Sequence, residues 1–293
     1  MWQRKNNLAR KNSMTPSQNR LQLALPAFML IFSLARAAEP EKIVFDPPIG
    51  SAKLLLFEDF ESTPVGEIPR GYTKTGIVGV VDNVAHSGKR SLRMEAAVSG
   101  ARRITAKGEV ITALGGEHWG RLYFKVQLPT PMPQGTGKFP VIHSTLVAGS
   151  AISPLFKDPI EVRVLDTVMG PKGTHQFLYN VQPKARPEFA KGSGYNYRYT
   201  DEWTLAEWYV DFASQTYRLF INGAEVKEAS FSKGAGKFEK AEIPEVFQSL
   251  SFGWNNYQKA DKGFVAWIDD IALSKDRIGD RGLATKTKKS RGK

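Results

Sequence analysis

The sequence predicts an all-β fold: one antiparallel β-sandwich. Two observations carry this. Short runs rich in aromatic and β-branched residues, one of them strictly alternating, recur from Lys42 to Leu273 between Gly, Pro and Asn punctuation. Helical periodicity sustained over ten residues is absent there, and a core of about 235 residues without internal repeats suits one sandwich rather than two domains.

Each element follows from its residues. The opening run Leu54–Ser62 (LLLFEDFES) and the closing run Gly263–Ser274 (GFVAWIDDIALS) are apolar strands interrupted by acids: Glu58, Asp59 and Glu61, then Asp269 and Asp270. Carboxylates in sheet-forming segments are costly unless paired or bound to a cation, so a shared ion at the two ends is one solution and bonds to backbone amides another. Arg121–Leu128 (RLYFKVQL) turns Arg121, Tyr123, Lys125 and Gln127 to one face and Leu122, Phe124, Val126 and Leu128 to the other. Trp208–Ile221 reads as a hairpin turning near Ser214-Gln215, and Asn222-Gly223 marks a second tight turn. Phe247–Trp254 supplies a further strand. Phe189–Gly194, Ser232–Gly236 and Pro129–Gly137 read as loops.

The N-terminus reads as an export signal. Leu21–Leu34 is an apolar run of about 14 residues, short of the ~20 that a bilayer span needs. It follows Arg4, Lys5, Arg10, Lys11 and Arg20 and ends in Ala35-Arg36-Ala37, a small-x-small cleavage pattern. A secreted or periplasmic protein, cut near Ala37–Ala38 and keeping no membrane span, is expected, with translation starting at Met1 or Met14. The expected organisation is a signal peptide over 1–37, a jelly-roll domain over 38–275 and a basic, disordered tail over 276–293. Net charge is +12, but residues 1–37 carry six Lys/Arg and no acid, and 275–293 carry eight against two acids. Without them the 41 bases and 29 acids fall to 27 of each, so the core is near neutral and a nucleic-acid footprint on it is not expected. The chain has no cysteine, which excludes Cys-ligated zinc, iron–sulfur clusters and thiol chemistry.

Several motifs occur in a telling order: FEDFES, AHSGKRSLRM (Ala85–Met94), HWGRLYFKVQLP (His118–Pro129), VIHSTLVAG (Val141–Gly149), WYVDFASQTYRLFINGAEV (Trp208–Val226), FGWNNY (Phe252–Tyr257) and WIDDIALS. In order and spacing they resemble bacterial relatives of the cellulose-induced jelly-roll protein of cellulolytic fungi, a group akin to glucuronan lyases. The resemblance covers most of 54–274. It departs at Asp201–Trp208 (DEWTLAEW), where many relatives have cysteines. It implies a jelly roll of the concanavalin A-like or lyase-like type whose concave sheet faces an acidic polysaccharide, and one structural calcium away from that cleft; a monomer is expected. The calcium ligands it implies are Glu61, the turn at Ser87 and Arg90 through carbonyl oxygens, and one of Asp269 and Asp270. Alternation puts those two aspartates on opposite faces, and Asp270 is assigned as the ligand.

Cleavage of a uronate polymer by β-elimination needs a neutralised sugar carboxylate, a base for the C5 proton and an acid for the leaving oxygen. Arg121, Tyr123 and Lys125 stand two residues apart on one face of their strand. His143 shares a face of the next strand with Thr145, and Arg163 lies in EVRVLD (Glu161–Asp166). Asn180 ends HQFLYN, and Asn255 and Tyr257 end FGWNNY. The expected catalytic set is His143, Arg121 and Tyr257, with Tyr123, Lys125, Arg163, Asn180 and Asn255 binding substrate. The same strip could serve a non-catalytic carbohydrate-binding domain. A sandwich-type glucanase needs two carboxylates spaced along one strand, and no Glu-x-Asp-x-x-Glu run exists.

Overall fold

The computed structural model describes residues 54–279 apart from 136, 239 and 240. The expected signal peptide and residues 280–293 of the tail lie outside the described residues. In chain order the first strands are β1 (Leu54–Glu58), β2 (Thr73–Thr75), β3 (Val78–Val81), β4 (Ser91–Ala97) and β5 (Gly100–Lys107). One helical turn, α1 (Glu109–Thr112), precedes β6 (Glu117–Val126), β7 (Ile142–Ile152), β8 (Ile160–Met169), β9 (His175–Gln182) and β10 (Phe189–Gly192). The last are β11 (Thr204–Asp211), β12 (Thr216–Ile221), β13 (Ala224–Glu225), β14 (Val246–Asn256) and β15 (Phe264–Ser274).

The strands form two antiparallel sheets. The first runs β13-β12-β11-β6-β15-β4-β3, with β1 also beside β15; the second runs β10-β9-β8-β7-β14-β5-β2. The chain passes repeatedly from one sheet to the other, and β1 pairs with β15, so the ends of the domain close on each other. This is the antiparallel sandwich that the alternation predicts, in the jelly-roll form that the resemblance implies.

The inward faces carry the expected apolar residues. Leu122, Phe124 and Val126 of β6 meet Ile104, Val162, Val164, Phe177 and Phe252 of the second sheet in one buried core. Aromatic pairs lock the sheets together: Trp254 stacks on Phe264 at 5.1 Å, and Tyr179 lies 4.4 Å from Tyr217. Their hydroxyls are satisfied, with Tyr217 donating to the Val164 carbonyl at 2.6 Å and Tyr179 to that of Glu242 at 2.7 Å. The β11–β12 hairpin turns where expected, and Asn222 and Gly223 both have positive φ (49° and 79°), as a two-residue hairpin loop requires. One loop expectation fails. Phe189–Gly192 is an edge strand paired with β9, because the Phe189 ring is buried against Phe231 and Tyr179 and draws the backbone onto the sheet.

Pairing is irregular at several points, some of them at carboxylates. In β15 the register with β6 shifts between Asp269 and Ala272, and Asp270 has a positive φ of 49°. There β15 changes its neighbour from β4, which pairs as far as Ile268, to β1, which starts at Ile271. In the second sheet, registers shift between Thr145 and Val147 and between Arg163 and Asp166.

Candidate active site

The expected cleft residues divide between two outer faces. Arg121, Tyr123 and Lys125 lie on β6 of the first sheet, whereas His143, Arg163, Asn180 and Asn255 lie on β7, β8, β9 and β14 of the second. Arg121 and His143 therefore do not line one cleft. β6 and β7 are adjacent in sequence, but the 127–141 connection carries the chain across the sandwich.

The first-sheet face is covered by the chain itself. Arg121 is 1% exposed and donates from Nη1 to the Gly279 carbonyl at 2.6 Å. Glu207, its register partner on β11, accepts from the amides of Ile278 and Gly279 and from Arg277 Nε. The pair thus pins the segment after β15 across the sheet. Tyr123 stacks on His86 at 3.5 Å, and Lys125 Nζ is bound to the Asp201 carbonyl (2.7 Å) and carboxylate (2.9 Å). All three face outward as alternation predicts, but they hold covering segments rather than facing a cleft.

On the second sheet the polar residues converge. His143 Nε2 lies 2.6 Å from Asp166 Oδ2, and Asp166 is fully buried. The His143 side chain keeps 17% of its surface exposed, and its Nδ1 makes no hydrogen bond among the described residues. Tyr257 follows β14; its ring centroid is 5.3 Å from that of His143, and its hydroxyl accepts from Thr145 Oγ1 and donates to Glu161 Oε1, both at 3.2 Å. Arg163 lies 4.0 Å over the Tyr257 ring and bonds Glu161 Oε1 through Nε at 2.9 Å. Asn255 pairs with Thr145 in register, and its side chain makes no hydrogen bond among the described residues. Asn180, register partner of Arg163, is buried and tied to Gln182 and Glu188, so it supports β9 rather than offering a free amide.

Burial pushes the Asp166 carboxyl upward, against the opposing pull of His143 and Arg163. Burial likewise raises the Tyr257 hydroxyl, which keeps it a proton donor at neutral pH. Asp166 was not singled out from the sequence as a site residue. It lies three residues after Arg163, so simple alternation sends it to the core. The bulges tuck both Val164 and Leu165 inward and return Asp166 to the outer face. A carboxylate in a Val-rich strand was the available signal, the same one that flagged Asp269.

Beside the cluster an open groove of about 550 Å³ crosses β8, β7, β14, β5 and β2. Its walls are serine and threonine hydroxyls with Arg103, Lys107, Lys184 and Glu161. Glu161 belongs to both features, so the groove leads to Tyr257 and His143.

The carboxylates implied for calcium are engaged within the chain. Glu61 Oε1 accepts from the amides of Lys89 and Arg90, each at 2.7 Å. The Arg90 guanidinium donates to the carbonyls of Glu61 (2.8 Å) and Thr63 (2.9 Å). Asp270 is held by Ser87 Oγ at 2.9 Å and His86 Nδ1 at 2.6 Å, and Asp269 Oδ2 accepts from the His86 amide at 2.8 Å. Among the described residues no group of three or more Asp, Glu or His is disposed to hold a metal. The two acids fasten the loop before β4 over the point where β15 changes neighbours.

No family model and no curated protein matches the chain. Solved structures do. The cellulose-induced protein Cip1 is 16% identical over 77% of this chain and 100% of its own, with a TM-score of 0.49. Alginate lyase Aly36B is 11% identical over 79% of this chain and 100% of its own, at 0.48. The receptor-binding domain of botulinum neurotoxin mosaic serotype C/D is 12% identical over 76% of this chain and 48% of its own, at 0.47. At such identities activity does not transfer, and the fold assignment rests on the sheet topology above.

Proposed function

We propose that this chain is an exported lyase-like enzyme that cleaves uronic-acid-containing polysaccharide by β-elimination on the outer face of its second sheet. One observation carries the reading: a histidine oriented by a buried carboxylate, with a protonated tyrosine beside it, on an open sheet face that continues into a polar groove. With Asp166 ionised, His143 Nε2–H donates to it and Nδ1 presents a lone pair. Nδ1 takes the C5 proton of the sugar. The C5–H electrons form the C4=C5 double bond, the C4–O bond breaks, and the leaving oxygen takes the Tyr257 proton. Asp166 then stabilises the imidazolium. Arg163, committed to Glu161, positions Tyr257, and Asn255 offers its amide to the substrate. Hydrolysis by a carboxylate pair fits less well, because Asp166 is buried against His143 and Glu161 is engaged by Arg163 and Tyr257.

The test is incubation of the purified protein with glucuronan, alginate and related polymers, following ultraviolet absorbance of unsaturated ends. Absorbance should rise with the wild type and stay flat with His143→Ala. Polymer binding without any such product would make the domain a carbohydrate-binding module on the same scaffold.

A further inference from the structure

The groove beside His143 carries cations that the fold does not use. Arg103, Lys107 and Lys184 line it, and none of them makes an ion pair or side-chain hydrogen bond among the described residues. Arg103 is half-buried, yet its Nε is shielded from solvent without an acceptor, which is costly unless a ligand supplies one. Its cross-strand partner on β14 is Gly253, which puts no side chain beside it. A Cβ at Gly253 would come within 2.8 Å of the Arg103 Cβ, so no larger residue fits there. Arg103 stands one step along the same face from Ala101, the register partner of Asn255. An unused guanidinium thus neighbours an unused amide.

The groove spans five adjacent strands, about 19 Å at ~4.8 Å per strand, and is long enough for several sugar units. Its lining holds three cations against one carboxylate, Glu161, which is already bound to Arg163. The other polar walls are hydroxyls, suited to sugar hydroxyls, and no aromatic platform lies among them. Neutral glucans gain most from aromatic stacking, whereas a polyanion gains from paired cations.

We propose that the groove is a run of subsites for consecutive uronate units, with Arg103 holding a carboxylate next to the reacting sugar and Lys107 and Lys184 holding those further along. This rests on the lyase reading for the position of the reacting unit, but binding in the groove does not require catalysis. Arg103 is then a specificity residue, and the site selects an acidic chain over a neutral one of equal length.

The test is calorimetric titration of His143→Ala protein with a glucuronate tetrasaccharide and with cellotetraose, repeated in Arg103→Gln and Lys184→Gln backgrounds. The uronate should bind and the neutral chain should not. Arg103→Gln should weaken binding about tenfold and Lys184→Gln less, both effects shrinking at high salt, where exposed charges are screened. Lys184 is exposed, so its substitution remains readable if Arg103→Gln disturbs the sheet. Equal affinity for the two sugars, or uronate affinity unchanged in both variants, overturns the groove assignment even if the wild type makes unsaturated product. Uronate binding that depends on Arg103, with no product from wild type, leaves the groove assignment standing and removes the lyase reading.

Discussion

At His143 the chemistry depends on its neighbours, and substitutions there separate the roles. Asp166→Asn keeps the shape of the contact but removes the anion that fixes one tautomer and stabilises imidazolium. Turnover of uronate polymer should fall roughly 100-fold or more, the scale of general acid–base catalysis, with little change in KM. Tyr257→Phe should do the same while leaving Arg163 stacked on the ring. Initial-rate kinetics on both variants check this, and wild-type turnover in Asp166→Asn would remove Asp166 from the mechanism. His143, Tyr257 and Asn255 were legible in the sequence because the chain alternates locally over 142–145 and 254–257, outside the bulges. Asp166 was not, since two bulges reset its face, and Arg121 was misplaced because alternation gives a side chain's face but not what covers that face.

Among the elements, the β6–β11 pairing rests on one small residue. Gly120 lies opposite Trp208, whose buried indole occupies the space where a Cβ on Gly120 would go. Gly120→Ala should destabilise the domain by about 1–3 kcal/mol through overpacking, measured by urea unfolding; an unchanged midpoint would mean that the indole does not fill that space. The terminal acids were legible as a costly cluster needing a partner, and the fold supplies backbone amides, the Ser87 hydroxyl and His86. Chelator should leave the melting temperature unchanged. Arg90→Ala should lower stability by roughly 1–3 kcal/mol by stripping donors from the Glu61 and Thr63 carbonyls. A chelator-induced drop in the wild type would show that a metal does bind.

For the whole molecule, stability should depend on pH in two limbs. His118 and His175 are held neutral by burial, down to about 3, whereas the unfolded chain protonates them near 6.5. Stability is therefore lost as pH falls from 6.5 toward 3. Asp269 is lifted from 3.8 to about 8, chiefly by burial and then by Asp270. Its contribution is full below 3.8 and is lost as pH rises toward 8. Above 6.5 both imidazoles are neutral in either state, so that limb belongs to the raised carboxyls, Asp269 foremost with Asp166 shifted in the same direction. Melting temperature should fall between pH 6.5 and 8, and Asp269→Asn should flatten the fall; an equally steep fall in the variant would assign the limb elsewhere. The sandwich was legible in the sequence because apolar periodicity encodes sheets directly, but which outer face stays open depends on loops and a terminal segment that periodicity does not describe. The central claim is that the open face of the second sheet performs elimination. Mass spectrometry of the products from a glucuronate oligosaccharide tests it most directly. Wild type should release fragments whose non-reducing ends are one water lighter than hydrolysis gives, and His143→Ala should release none. Hydrated fragments, or unsaturated ones made equally well by His143→Ala, would contradict it.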